Sequence, residues 1–285
     1  MTYYLPILGS VALATGTILE KIVLRKKKIN PRLYQTAAFL AIVVVMIPFL
    51  YFFWKLTPEA LTGKNIFIFL LVVIFSMLAN VFMFYSMKWE KISNLEPARV
   101  LEPLFVIILA LIFSFFAEGL YERNLNVVIP ALISAFALVF SHAKKHHLEF
   151  NKYFMAAIFG SFFFALELVI SRLVLDFYSP LSFYFLRSSG VLLLSFLIFK
   201  PKFKNLDTKA KGIIFVTGAI WVLYRILVYY GYLKIGVIFT TLVLMLGPIL
   251  IYILAFFVLK EKIGWRNVVA AMIIVASILY ALLSG

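Results

Sequence analysis

Asn94-Leu95-Glu96-Pro97-Ala98-Arg99-Val100-Leu101-Glu102-Pro103 runs straight into an almost wholly apolar stretch, Leu104 to Phe116. That stretch alone is too short to cross a bilayer, which takes about 20 residues. A spanning helix here must begin near Ile92 and carry Glu96, Arg99 and Glu102 inside it. Charges at such depth are costly and face a protein interior or a watery cavity. The rest of the chain is therefore expected to be the frame of that cavity.

Composition agrees. Of 285 residues, 65% are apolar and 14% charged, with a mean hydropathy of +1.07, whereas soluble domains are about 45–50% apolar. The expected class is an all-α, polytopic membrane protein embedded in the lipid bilayer. The net charge of +15 does not point to nucleic acid, because the basic residues sit in short loops between apolar runs, where a topology signal places them. With no cysteine, disulfides, Cys-ligated zinc and thiol catalysis are excluded. Tyr3 to Leu24 lacks a basic lead and is long enough to span, so it reads as a helix and not a cleaved signal.

Ten apolar runs follow in order: Tyr3–Leu24, Leu33–Trp54, Asn65–Met87, Ile92–Phe116, Leu125–Ser141, Tyr153–Leu175, Leu181–Phe199, Gly212–Leu233, Ile235–Leu259 and Trp265–Leu283. Loops on one side would carry 18 Lys and Arg, from Arg25 to Arg266, against 4 on the other, Lys55, Lys64, Arg123 and Lys234. That bias predicts cytoplasmic basic loops and both termini on the non-cytoplasmic side of the cell membrane.

The two halves, 1–145 and 146–285, look alike. Lys91-Ile92 precedes Glu118 as Lys234-Ile235 precedes Glu261, and Arg123-Asn124 corresponds to Arg266-Asn267. Pro103 and Pro248 interrupt equivalent runs, Gly9-Ser10 matches Gly160-Ser161, and Pro31 and Pro180 each open the second run of a half. An odd number of spans per half inverts the second copy, so the expected architecture is ten transmembrane helices in two inverted five-helix repeats within one membrane domain. Such repeats mark transporters that bind substrate near the bilayer midplane.

This order and symmetry resemble the EamA-type members of the drug/metabolite transporter superfamily. So does Gly247-Pro248-Ile249-Leu250 leading to Leu259-Lys260-Glu261, an apolar helix with a central proline and an acidic end. The resemblance covers the whole chain. It implies a ten-helix secondary transporter that moves small metabolites by alternating access, commonly outward, and is not an enzyme.

Glu96, Arg99 and Glu102 are spaced i,i+3 and share one helix face. At about 1.5 Å per residue, Glu102 lies roughly 15 Å from Ile92, near mid-membrane. Glu167, Arg187 and Arg225 are further charges inside runs, and Tyr224 and Tyr229 add hydroxyls beside Arg225. One reading makes these charges mutual ion pairs that fix helix packing. The functional reading has Arg225 and Arg187 hold a carboxylate or phosphate, while Glu102 or Glu167 binds an amine or carries a proton. Glu20 and Arg172 are expected to snorkel or sit at interfaces.

His142, His146 and His147 lie beside Lys144 and Lys145, which repel a cation, so no metal site is expected there. No cofactor, nucleotide-binding motif or catalytic set is recognisable. The expected function is secondary transport, in the export direction, of a small polar metabolite such as an amino acid, with protons as candidate coupling ions. The alternatives are transport of a phosphorylated sugar, nucleotide-sugar or lipid-linked head group, and a lipid-modifying membrane enzyme. The chain would act as a monomer or homodimer.

Overall fold

The computed structural model describes residues 5–90, 92–142, 151–250 and 265–284. Its main helices are α1 (Leu5–Leu24), α2 (Pro31–Phe53), α3 (Gly63–Trp89), α4 (Ile92–Arg99), α5 (Leu101–Ser114), α6 (Leu125–His142), α7 (Lys152–Arg172), α8 (Pro180–Phe199), α9 (Thr208–Lys234), α10 (Val237–Leu244) and α11 (Trp265–Ser284). Among the described residues there is no strand, only an isolated bridge between Leu56 and Tyr178. Among the described residues, eight helical segments are long and apolar enough to cross a membrane, and two shorter apolar helices, Leu125–Ser141 and Val237–Leu250, accompany them. Run Ile235–Leu259 is described as far as Leu250; its remainder, Glu261 and the loop carrying His146 and His147 lie outside the described residues.

Helix starts follow local chemistry. The Asn30 side chain accepts from Leu33 N ahead of Pro31, and Ser179 accepts from Ser182 N ahead of Pro180. A small polar cap followed by proline, whose missing N–H costs nothing at that position, is a strong start signal. Asn151 and Asp207 cap α7 and α9 in the same way.

The two halves interlock. α1 packs on α9, α2 on α8 and α9, α3 on α7, and α6 on α11. α3 and α7 approach closely because Gly160 has no side chain; a Cβ there would lie 3.2 Å from Met83 N. Outward faces are apolar, with Tyr51, Phe52, Phe115, Phe116 and Leu283 strongly exposed. Surfaces of this kind are covered by lipid rather than water.

The opening stretch departs from one straight helix. α4 ends at Arg99, Val100 forms a turn, and α5 begins at Leu101. α10 likewise ends at a turn, Met245, before helical residues 246–250. Each break precedes a proline by three residues, Pro103 and Pro248. A proline removes the hydrogen bond to the carbonyl four residues back, here those of Arg99 and Leu244, and its ring crowds that carbonyl. Such breaks are tolerated where the backbone is buried in protein or lines a cavity.

At the end carrying Lys26, two lysines cap each other's helices. Lys21 Nζ of α1 donates to the carbonyls of Met87 and Glu90 at the end of α3. Lys88 Nζ of α3 donates to Leu24 O at 2.9 Å and Lys26 O at 2.7 Å at the end of α1. At the opposite end the 2–3 and 7–8 loops are stitched by main-chain bonds, Thr57 N to Phe177 O and Ser179 N to Lys55 O.

Candidate functional site

The predicted charges separate into a closed cluster and an open wall. Glu167 of α7 is fully buried, and Arg187 of α8 is 2% exposed. Arg187 Nη1 donates to Glu167 Oε1 at 2.7 Å and to the Tyr229 hydroxyl at 2.8 Å, and that hydroxyl donates to the same Oε1 at 2.9 Å. Ser171 Oγ lies 3.4 Å from this oxygen. Burying a charge is tolerable only when it is paired and hydrogen-bonded, and α7, α8 and α9 are tied together here for that reason. Glu167, Arg187 and Tyr229 thus form one mutually bonded cluster that links α7, α8 and α9.

Arg225 of α9 has no acidic residue in its own helix. Its partner comes from α7, with Nη1 3.4 Å from Glu167 Oε2. The alignment is not that of a hydrogen bond, and Nη1 has no hydrogen-bond acceptor among the described residues. The guanidinium lies 5.6 Å from the Phe164 ring centroid and 5.7 Å from that of Tyr224.

Arg225 and Arg187 open onto a cavity of about 60 Å³, also lined by Glu20, Asn80, Arg99, Glu102, Tyr184, Trp221 and Tyr224. A second cavity, of about 80 Å³, shares Leu13, Arg99, Glu102 and Tyr224 with the first and continues past Pro103, Leu168, Tyr232, Thr241 and Pro248. Both broken helices therefore reach this second space. Arg99 Nη2 donates to Thr17 Oγ1 at 3.0 Å. Glu102 makes no hydrogen bond or ion pair among the described residues, although it borders both cavities. Arg99, Arg187 and Arg225 face Glu20, Glu102 and Glu167, so the described lining and its immediate support carry no net formal charge.

Glu96 is the predicted residue whose side chain lies outside the described residues. Thr240 and Thr241 turn their hydroxyls back to Gly236 O and Val237 O in their own helix. Glu20 corrects the sequence reading. It does not snorkel to an interface but is buried, 6% exposed, on the cavity wall. Its position beside the N-terminal third of the chain hid its partner, Trp221 of α9, whose Nε1 donates to Glu20 Oε1 at 2.9 Å. A glutamate one turn after the small residues between Gly9 and Thr17, a stretch suited to close packing on another helix, was the available signal. Arg172, in the last turn of α7, pairs with the exposed Asp176 at 2.6 Å.

The family model for EamA-like transporters matches residues 1–140 and again 151–283. The chain belongs to the EamA-like transporter family. It is thus a multi-pass membrane protein of the drug/metabolite transporter superfamily, whose members are generally transporters rather than enzymes. No curated protein matches this chain. One solved crystal structure superposes with a TM-score of 0.69, covering 99% of this chain and 96% of its own, at 16% sequence identity. At that identity the likeness concerns the fold alone. For this EamA-like transporter the residues bordering both cavities become the natural place to look for substrate contacts.

Proposed function

We propose that this EamA-like transporter carries a small zwitterionic metabolite, such as an amino acid, by alternating access between two inverted five-helix repeats. One observation carries the reading: Arg225 and Glu102 border the same cavity, and each has charge that the described residues leave without a hydrogen-bond partner. Arg225 is buried with Nη1 lacking an acceptor even beside Glu167, and Glu102 is part-buried with no bonded partner among the described residues; an unmade hydrogen bond at such a site costs free energy, and a ligand with a carboxylate and an ammonium group would supply both partners. Arg225 and Arg99 take the carboxylate, Glu102 takes the ammonium group, and Tyr224 and Tyr184 form the aromatic walls. Glu167, Arg187 and Tyr229 hold Arg225 in place from behind. The carboxylates Glu20 and Glu102 disfavour a sugar phosphate or nucleotide-sugar, whose multiple negative charges they repel. The two stretches matched by the family model support the repeat reading. Loop charge supports both termini on the non-cytoplasmic side, and outward transport is taken from the direction common in the family.

The test is uptake into proteoliposomes from a panel of amino acids, sugar phosphates and nucleotide-sugars, with and without a pH gradient. Arg225→Ala removes a charged hydrogen bond worth about 1.5–3 kcal/mol, so apparent affinity should fall on the order of tenfold to a hundredfold. Glu102→Gln should lose transport of zwitterions. Unchanged flux in both variants, or flux confined to sugar phosphates, overturns the assignment. A reporter fused after Gly285 checks sidedness, and a cytoplasmic signal refutes it.

A further inference from the structure

One cavity carboxylate is not used by the substrate site. Glu20 on α1 is buried, and Trp221 Nε1 of α9 donates to its Oε1 at 2.9 Å. No Lys or Arg lies within ion-pair distance of it among the described residues. Around it, α2 brings the Tyr34 phenol and α4 brings Arg99, while Glu102 of α5, Tyr184 and Arg187 of α8 and Tyr224 and Arg225 of α9 line the same cavity. Arg99 is drawn to α1 through Thr17, one turn before Glu20. α3 lines this space with Asn80, Met83, Phe84 and Met87, none of which titrates. Lys21, next on the chain, turns away to the carbonyls that end α3.

Two features make this an unusual carboxyl for a purely structural role. Its bonded donor is a neutral indole, so no countercharge is fixed to it as Arg187 is fixed to Glu167. It also lines a space large enough for water, which needs roughly 10–15 Å³, so a proton can reach it. The indole bond is compatible with either form: the ionised carboxylate accepts it, and so does the carbonyl oxygen of the neutral acid. Trp221 can therefore keep the group in place while its charge changes.

We propose that Glu20 takes up and releases the proton that drives transport, with Trp221 as its positioning residue. The proposal rests on the transporter reading. A hydronium on one side of the membrane gives its proton to the Glu20 carboxylate, and the acid returns that proton to water on the other side; no other bond changes. Arg99 links this event to the substrate, because it borders both cavities together with Glu102. With Glu20 ionised, Arg99 is held towards α1; with Glu20 neutral, it is released towards the substrate carboxylate.

Trp221 provides a readout that needs no substrate. In a protein carrying W54F, W89F and W265F, the remaining tryptophan is Trp221, and its emission should shift along a single-proton curve as pH is varied. Glu20→Gln keeps an acceptor for the indole and should abolish that shift. In proteoliposomes with an entrapped pH-sensitive dye, wild-type protein should move protons with substrate, and Glu20→Gln should lose that substrate-coupled proton movement. Emission that does not titrate, or titrates equally in Glu20→Gln, overturns the proposal, as does a Glu20→Gln variant that still moves protons with substrate. A wild type that moves none of the tested metabolites fails the transport reading instead, and the Trp221 titration still decides whether Glu20 binds a proton.

Discussion

Arg225 and Arg187 reach one carboxylate, Glu167, from two different helices: Arg187 Nη1 lies 2.7 Å from Oε1 and Arg225 Nη1 3.4 Å from Oε2. One anion thus supports two guanidiniums at the centre of the bundle. Only Arg187 closes a hydrogen-bonded triangle with Tyr229; Arg187 Nε and Arg225 Nη1 each keep a donor without an acceptor among the described residues, and both side chains line the cavity.

This arrangement predicts an order of stability loss. Removing Glu167 strands two buried cations, so Glu167→Gln should cost about 3–5 kcal/mol. Arg187→Met should cost less, because Glu167 keeps Arg225. Tyr229→Phe removes one neutral donor and should cost about 1 kcal/mol. Thermal unfolding in detergent ranks the three, and a Tyr229→Phe loss equal to that of Glu167→Gln would refute the central role given to the carboxylate.

A second prediction concerns the start of α10. Glu122, in the loop after α5, accepts from Ile238 N at 2.9 Å and Phe239 N at 3.1 Å. Gly236 takes a φ of +87°, and a Cβ there would stand 1.9 Å from Glu122 Oε1. Glu122→Ala should cost about 0.5–2 kcal/mol as a lost cap. Gly236→Ala should cost more, since a left-handed residue adds about 1–2 kcal/mol to the clash. In the double variant the clash disappears, so the two losses should sum to more than the double variant shows. Strict additivity in a melting experiment would contradict this geometry.

The reciprocal lysine caps lead to a third. Lys21→Met and Lys88→Met each free two carbonyls at a helix end, and each should lower stability by about 1 kcal/mol. Lys27→Met, on the neighbouring loop, should be close to neutral. A thermal-shift comparison of the three variants separates a positional effect from a general loss of positive charge.

A fourth concerns acid. The Lys26 ammonium lies 2.9 Å from both oxygens of Asp207, and Ala210 N also donates to it. Together, with Lys26 the larger influence, they hold this carboxyl below the usual aspartate range. A carboxyl lowered on folding stabilises the protein above its unfolded value, and that contribution fades as pH falls through the folded value. Asp207→Asn should therefore flatten the acid limb of a stability-versus-pH curve and leave the alkaline limb unchanged. High salt should shrink the difference, because the pair is exposed and screened. An acid limb identical in the variant would remove Asp207 from the account.

The starts of α2 and α8 were legible because Asn30-Pro31 and Ser179-Pro180 are local signals whose chemistry is complete within four residues. The membrane class was legible because hydropathy sums over whole runs. The turn at Val100 was visible only as a pair of prolines, since a proline marks where a hydrogen bond is lost but not where the chain bends.

Which charge meets which was not legible. Glu167 meets Arg187 and Arg225, and Glu20 meets Trp221, through helices far apart in the chain. Periodicity places each residue on a face of its own helix but says nothing of which helix covers that face. Glu20 was assigned to an interface because a lone acid near a helix end can reach water by length alone; its burial depends on α9 packing over α1. Sequence by itself thus determined a helical membrane protein with charged residues inside its apolar runs. Tertiary packing decided which of those charges are neutralised and which face the cavity, because an ion pair forms at 3 Å and that distance exists only after the helices are in place.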